Sequence, residues 1–129
     1  MPSNNDLSTF SNWTEEDKDL FTVAVIKGLI MDTVRNANSG HTGGPMSSAD
    51  FSYLLFSKYM NFDPDNSEWF NRDRFILSAG HESALLYTLL TLIGWLKIDD
   101  LQQFRQLHSK TPGHPEVEIK GVEATTGPL

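Results

Sequence analysis

The chain has 129 residues, enough for at most one small domain, and with 39% hydrophobic and 11% aromatic residues it can bury a core. A formal net charge of −7 argues against nucleic acid or an anionic membrane as the main partner, because both need a basic face, so any anion bound here must be held by local donors. The absence of cysteine excludes a disulfide scaffold, a thiolate metal site and a cysteine nucleophile; no apolar run approaches the ~20 residues of a membrane span, and the N-terminus lacks a signal-peptide pattern, so the expectation is a soluble cytoplasmic protein with no membrane partner.

Residues 1–13, rich in Ser and Asn, read as a flexible start. Thr14 then caps a helix from about Glu15 to Asn36, with Glu15, Glu16 and Asp17 where the helix dipole favours acids. Leu20, Val23, Ile30, Val34 and Ala37 share one face, widened by Phe21, Ala24, Val25, Leu29 and Met31, which predicts a largely buried helix. It delivers the chain to Asn38-Ser39-Gly40-His41-Thr42-Gly43-Gly44-Pro45-Met46, read as a loop. A second helix is expected from Ser48 to Met60, then a turn at Asp63-Pro64. Arg74–Ser78 reads as a short buried strand. Glu82 to Ile93 is the next helix, with Gly94 at its C-cap, and Asp99 or Asp100 caps a short helix to about Leu107. From His108 to Leu129 there is no periodicity, only Gly and Pro punctuation, which reads as a long working loop.

Three stretches can carry chemistry. The loop around His41 holds three of the nine glycines, so backbone can approach a ligand closely while one imidazole is aimed at it; taken alone, such a loop is more often an ordinary helix connection with a surface histidine. At Ser78–His81 a strand ends and a helix begins, the place where open α/β sheets bind ligands and free N–H groups meet phosphate; a plain turn and a cap-region histidine is the other reading. His114 is clamped between Gly113 and Pro115, which suggests an aimed side chain, although a loop histidine is usually just solvated. His41, His81 and His114 each follow a glycine, and a shared site explains that pattern better than chance. Their spacings of 40 and 33 residues match no zinc motif, and no cation-loop pattern of carboxylates is present, so a self-contained metal site is rejected. The terminal Gly121–Leu129 stretch could lay backbone against a flat ring, or simply be a loose end.

Together these stretches resemble the N-terminal part of transketolases, collinearly from about Phe21 to Leu129. The resemblance is carried by Ala37–His41, Gly44-Pro45-Met46, Arg72–Phe75, Leu77-Ser78, Gly80-His81, Phe104–Glu116, Gly121-Val122-Glu123 and Thr125–Leu129, of which Phe104–Glu116 is the most specific. It implies an α/β family fold, a parallel sheet flanked by helices, that binds thiamine diphosphate. Residues 14–129 would form part of the diphosphate-side domain, itself mostly α-helical with one or two short strands. It implies that His41 contacts the sugar and handles protons, that His114 lies beside the reacting carbon, and that His81 touches the cofactor diphosphate. Gly127, Pro128 and Leu129 match the segment packed on the aminopyrimidine ring. No role is carried over to His108.

The implied reaction moves a two-carbon ketol unit from a ketose phosphate to an aldose phosphate, with sugar phosphates as substrates and thiamine diphosphate and Mg2+ or Ca2+ as cofactors. Thr42 stands where the family commonly has proline, and Ala79 where it commonly has asparagine. The family motif continues past the position of Leu129 into the metal-binding and cofactor-activating parts, so the 129 residues alone are expected to be inactive, with apolar faces left uncovered. The expected partner is the remainder of the polypeptide or a second subunit, in a homodimer when complete. A non-catalytic truncated fragment or interaction module, and a dihydroxyacetone synthase-like transferase, are the alternatives.

Overall fold

The structure, a computed structural model, describes residues 6–128. Of the segment read as a flexible start, residues 1–5 lie outside the described residues, while Leu7–Asn12 winds into a 3-10 turn; Phe10 and the capping Trp13 pack edge-on against Phe21 of the following helix. Helix α1 spans Glu15–Ala37; Thr14 caps it by accepting from the Asp17 N–H at 3.1 Å, and Asn38 ends it in the left-handed conformation at φ 48°. Its buried face is narrower than the sequence suggests. Ile26, Ile30, Thr33 and Val34 are buried, whereas Leu20 and Met31 are exposed.

The run expected to be loop is partly helical. Helix α2, Gly43–Ser47, starts inside it, and Pro45 sits in the first turn, where the missing N–H leaves no bond unmade. Helix α3 is Ala49–Leu54, and a π turn over Leu55–Tyr59 follows, closed by the Met60 N–H on the Leu55 carbonyl at 2.8 Å. The single helix expected from Ser48 to Met60 is therefore two pieces, and the wider π turn carries Phe56 against Phe62 and Phe75, ring centroids 5.8 and 5.3 Å apart.

No strand forms among the described residues, which corrects the expectation of a strand at Arg74–Ser78. The segment has a strand's alternation, with Phe75 half-buried, Ile76 exposed and Leu77 buried. It lacks a second backbone to pair with, and a ladder is a property of two segments. The chain is mostly helical, and the parallel sheet implied for the whole domain is not formed by these residues.

Helix α4, Ser83–Leu92, is the centre of the molecule: every residue from Ser83 to Leu90 is buried. A helix apolar all round must be covered on all sides, and α1, α2 and a last helix, α5, pack around it. Helix α5 covers Ile98–Gln102, shorter than the expected run to Leu107 and started differently. Lys97 is the N-cap, and Asp100 supports it from within the first turn by accepting the Lys97 N–H at 2.9 Å. After α5 the chain runs without regular structure to residue 128, stapled across the molecule by an ion pair: Arg72 Nη1 to Glu123 Oε1 at 2.5 Å, with the guanidinium 5.3 Å from the centre of the Trp95 ring. No helix among the described residues is long and apolar enough to cross a membrane.

Candidate functional site

Three loops bring their histidines together at the N-terminal end of α4, and the local chemistry of each explains how. The His41 loop leaves α1 through Asn38 and then Gly40, whose φ of 132° is a conformation that side-chain-bearing residues rarely adopt. A Cβ on Gly40 would stand 3.0 Å from the Phe104 ring, so the backbone is pressed against the core directly before His41.

His81 lies in a 3-10 turn, Gly80–Glu82, that leads into α4. Here the structure corrects the argument for a bare helix N-terminus. The Glu82 N–H donates to the Ala79 carbonyl at 2.8 Å and the Ser83 N–H to the Gly80 carbonyl, so these amides are occupied within the turn. What His81 offers to a ligand is its exposed imidazole.

His114 is held from α4. Ser83 and Tyr87, one helical turn apart and on one face, donate their hydroxyls to the Gly113 carbonyl at 2.7 Å and the Pro112 carbonyl at 2.9 Å; the Tyr87 hydroxyl also lies 3.3 Å from the His114 carbonyl. Burial, followed by the charge of Glu116, pushes the Tyr87 phenol far above its ordinary range, so it remains a protonated donor.

The rings of His41 and His81 are 5.2 Å apart between centroids, at 69°. His114 faces them. Its imidazole is held below the ordinary histidine range by burial first, then by the Arg105 guanidinium and by His41 and His81. A neutral His114 near pH 7 can accept a proton as well as donate one.

Gly127 completes the wall. It has φ 93°, and a Cβ there would come within 2.5 Å of His114 Cδ2, while a Cβ on Gly80 would come within 2.6 Å of the Gly127 N. The turn bearing His81, the 126–127 backbone and the His114 ring are thus layered in direct contact. Thr126 ties this layer down, donating its hydroxyl to the Leu77 carbonyl at 2.6 Å and its N–H to the Pro115 carbonyl at 3.3 Å. Pro128 is exposed beyond it, and Leu129 lies outside the described residues.

Sequence reasoning did not assign three nearby groups. Glu82 sets its carboxylate on Gly44, Oε1 2.5 Å from where a Cβ would be. Arg105 Nη1 donates to Ser39 Oγ at 2.7 Å. His108, like Arg105, has positive φ (62° and 61°) and lines a groove of about 690 Å3 with Ser39, Ser109, Gly113 and Glu116. Neither the left-handed backbone at 105 and 108 nor the Glu82–Gly44 contact has a signal in the residue order. Thr42, at the start of α2, makes no capping bond through its side chain. Among the described residues, no three His, Asp or Glu side chains are grouped to hold a metal ion.

As a test of fit to a diphosphate-bearing cofactor, the exposed His41 and His81 rings supply ring N–H donors at adjacent positions, beside the backbone wall at 126–127. That donor set suits one side of a polyanion, and it supplies no fixed counter-charge.

The family model for transketolase, thiamine diphosphate binding domain, matches residues 18–129. The Staphylococcus aureus (strain MW2) transketolase is 54% identical over 114 residues, 88% of this chain, and the Bacillus subtilis transketolase 58% over 110 residues, 84% of this chain. A crystal structure of Pichia stipitis transketolase in complex with sedoheptulose-7-phosphate superposes with a TM-score of 0.82 at 50% identity over 86% of the chain. The Campylobacter jejuni transketolase superposes with a TM-score of 0.79 at 51% identity over 83%. The chain spans only 17% of the Staphylococcus relative, 16% of the Bacillus one and 17% of each of these two structures. On these similarities the chain belongs to the transketolase family, within its thiamine diphosphate-binding domain.

Proposed function

We propose that these residues form the diphosphate side of the active site of a transketolase, which transfers a two-carbon ketol unit from a ketose phosphate to an aldose phosphate. The observation that carries the reading is the approach of the His41 and His81 rings to 5.2 Å, with His114 near enough that both oppose its protonation. Thiamine diphosphate, when bound, supplies the carbanion stabilisation that side chains cannot. The chain's own residues then have separable tasks. His81 donates to the diphosphate. Gly127 and Pro128 would hold the aminopyrimidine ring through their backbone, and Leu129, matched to the same segment, lies outside the described residues. His114, kept neutral, accepts and returns a proton at the donor sugar, and His41 binds the sugar and shares in proton movement. The divalent ion, Mg2+ or Ca2+, would be held by ligands outside these residues.

The surface supports a role within a larger assembly. Phe51, Tyr59, Phe70 and Leu107 are exposed, Tyr59 by 75% and Phe70 by 89%, over faces that the remainder of the polypeptide, or a second subunit of a homodimer, would cover. A cytoplasmic location fits sugar-phosphate substrates.

The test is a chimaera in which residues 18–129 replace the matching segment of the Bacillus subtilis transketolase. Ketol transfer is expected to persist. His41→Ala and His114→Ala should each lower kcat by about 10²–10⁴-fold, the range for lost acid–base groups, and His81→Ala should mainly weaken cofactor binding. A folded, cofactor-loaded chimaera in which all three variants turn over like the parent would overturn the reading.

A further inference from the structure

Arg105 stands apart from the residues given roles above. Its backbone is left-handed, φ 61°, a conformation that persists in a non-glycine residue when surrounding structure enforces it. The enforcement is visible: the Arg105 N–H donates to the Thr111 carbonyl at 2.8 Å, closing the loop that leads to His114. The side chain then reaches two ways. Nη1 donates to Ser39 Oγ at 2.7 Å, two residues before His41. The rest of the guanidinium lies flat on Gly113, so close that a Cβ there would come within 2.8 Å of Nε and 2.9 Å of Nη2.

Its neighbour Phe104 presses on Gly40 from the core side, and the guanidinium carbon is 5.9 Å from the centre of that ring. Nε is buried and has no partner. An unpaired buried donor is rare, and here it marks a group held in place by its other contacts.

We propose that Arg105 is a positioning residue that sets the spacing between His41 and His114, by bonding the loop before the first and covering the glycine before the second. The proposal rests on the reading of His41 and His114 as the sugar-handling pair. A planar fork can bond Ser39 at one end while its face lies on Gly113; an ammonium cannot do both. The fixed charge has a second effect, in the same direction as burial and as His41 and His81: it opposes protonation of His114. The other charged or titratable groups around His114 are Glu116, two residues away on the groove wall, and Glu82, in the turn before α4, while the Tyr87 hydroxyl touches only the His114 carbonyl.

The experiment uses the 129-residue chain without cofactor or substrate. Histidine ring signals are followed by NMR across a pH titration, and amide exchange is read at residues 39–41 and 113–114. In Arg105→Met, the His114 midpoint should rise toward the ordinary imidazole range and the amide of Ser39, bonded to the Val34 carbonyl at 3.4 Å, should exchange about tenfold faster. In Arg105→Lys, charge is retained and the fork lost, so the midpoint should stay low while exchange quickens. Ser39→Ala, at an exposed position that should not disturb folding, should quicken exchange of the position-39 amide with the midpoint unchanged.

Unchanged exchange in both the Lys and Ala variants overturns the positioning role. An Arg105→Met chain with wild-type circular dichroism and an unmoved His114 midpoint overturns the electrostatic one. Neither readout involves turnover, so these failures are distinct from failure of the transketolase reading, which the chimaera addresses.

Discussion

The layering of Gly80 on the 126–127 backbone is the contact on which the site's closure depends, and replacing Gly80 by alanine tests it. A Cβ on Gly80 would lie 2.6 Å from Gly127 N, Thr126 C and Thr126 O, three backbone atoms that no rotamer change can move aside. Ordinary contact begins at 3.4 Å, so the two segments must separate by about 0.8 Å. Thr126 cannot drift freely, because its hydroxyl is bonded to Leu77 and its N–H to Pro115. Overpacking of this kind costs about 1–3 kcal/mol, and stretching one or both bonds adds about 0.5–1.5 kcal/mol each, so Gly80→Ala should destabilise the chain by roughly 1.5–6 kcal/mol.

Gly28 is the internal control. It lies in the middle of α1, and nothing stands within 4 Å of the position its Cβ would take. Alanine there removes backbone entropy from the unfolded chain and should stabilise by about 0.5–1 kcal/mol. Urea denaturation followed by far-UV circular dichroism would show midpoints moving in opposite directions for the same chemical change. If Gly80→Ala is as stable as the parent, the 126–127 segment does not rest on the His81 turn, and the wall beside His114 is not built as described.

The ion pair between Arg72 and Glu123 ties the terminal loop to the aromatic cluster, with both side chains largely buried (9% and 14% exposed). Glu123→Ala strands Arg72 against Trp95 and should cost about 3–5 kcal/mol in chemical denaturation; a change under 1 kcal/mol would show that the pair is solvated. His114 gives the pH dependence. Its folded pKa lies below the unfolded value of 6.5, so below 6.5 the unfolded chain takes up a proton that the folded chain resists. Stability should therefore be full above 6.5 and decline as pH falls from there toward the folded pKa. The urea midpoint of His114→Gln should fall less than that of the parent between pH 7.5 and 5.5, and parallel declines would remove His114 as the cause. Calorimetry of the 129 residues alone with thiamine diphosphate and Mg2+ should show no micromolar binding, since the described residues group no three His, Asp or Glu side chains to hold the metal that would balance the diphosphate; a micromolar isotherm would contradict this.

The parts of the molecule that could be read in advance share a physical trait: their signal is carried by residues adjacent in the chain. Thr14 caps α1 because a hydroxyl followed by three acids is a local arrangement, and Gly94 ends the α4 region at φ 85° because only local backbone is involved. The glycine-hinged histidines belong here too, since a hinge and the imidazole it aims are neighbours. What could not be read depends on a second segment. Phe75-Ile76-Leu77 has a strand's side-chain alternation, yet without a partner backbone among the described residues the alternation buries Leu77 and leaves Ile76 in water. The π turn at Leu55–Tyr59 exists where Phe56 meets Phe62 and Phe75, all outside any local window. The amides before α4 looked free because residue order does not say that Ala79 and Gly80 will turn back to accept them. Arg105 is the sharpest case. Its type is ordinary for an exposed loop, and only the loops on either side, 66 residues apart at Ser39 and 8 residues on at Gly113, make its fork a brace. In this chain, then, the groups proposed to meet a ligand are visible in composition and spacing, and the groups proposed to hold them at working distance are visible only once the chain has closed on itself.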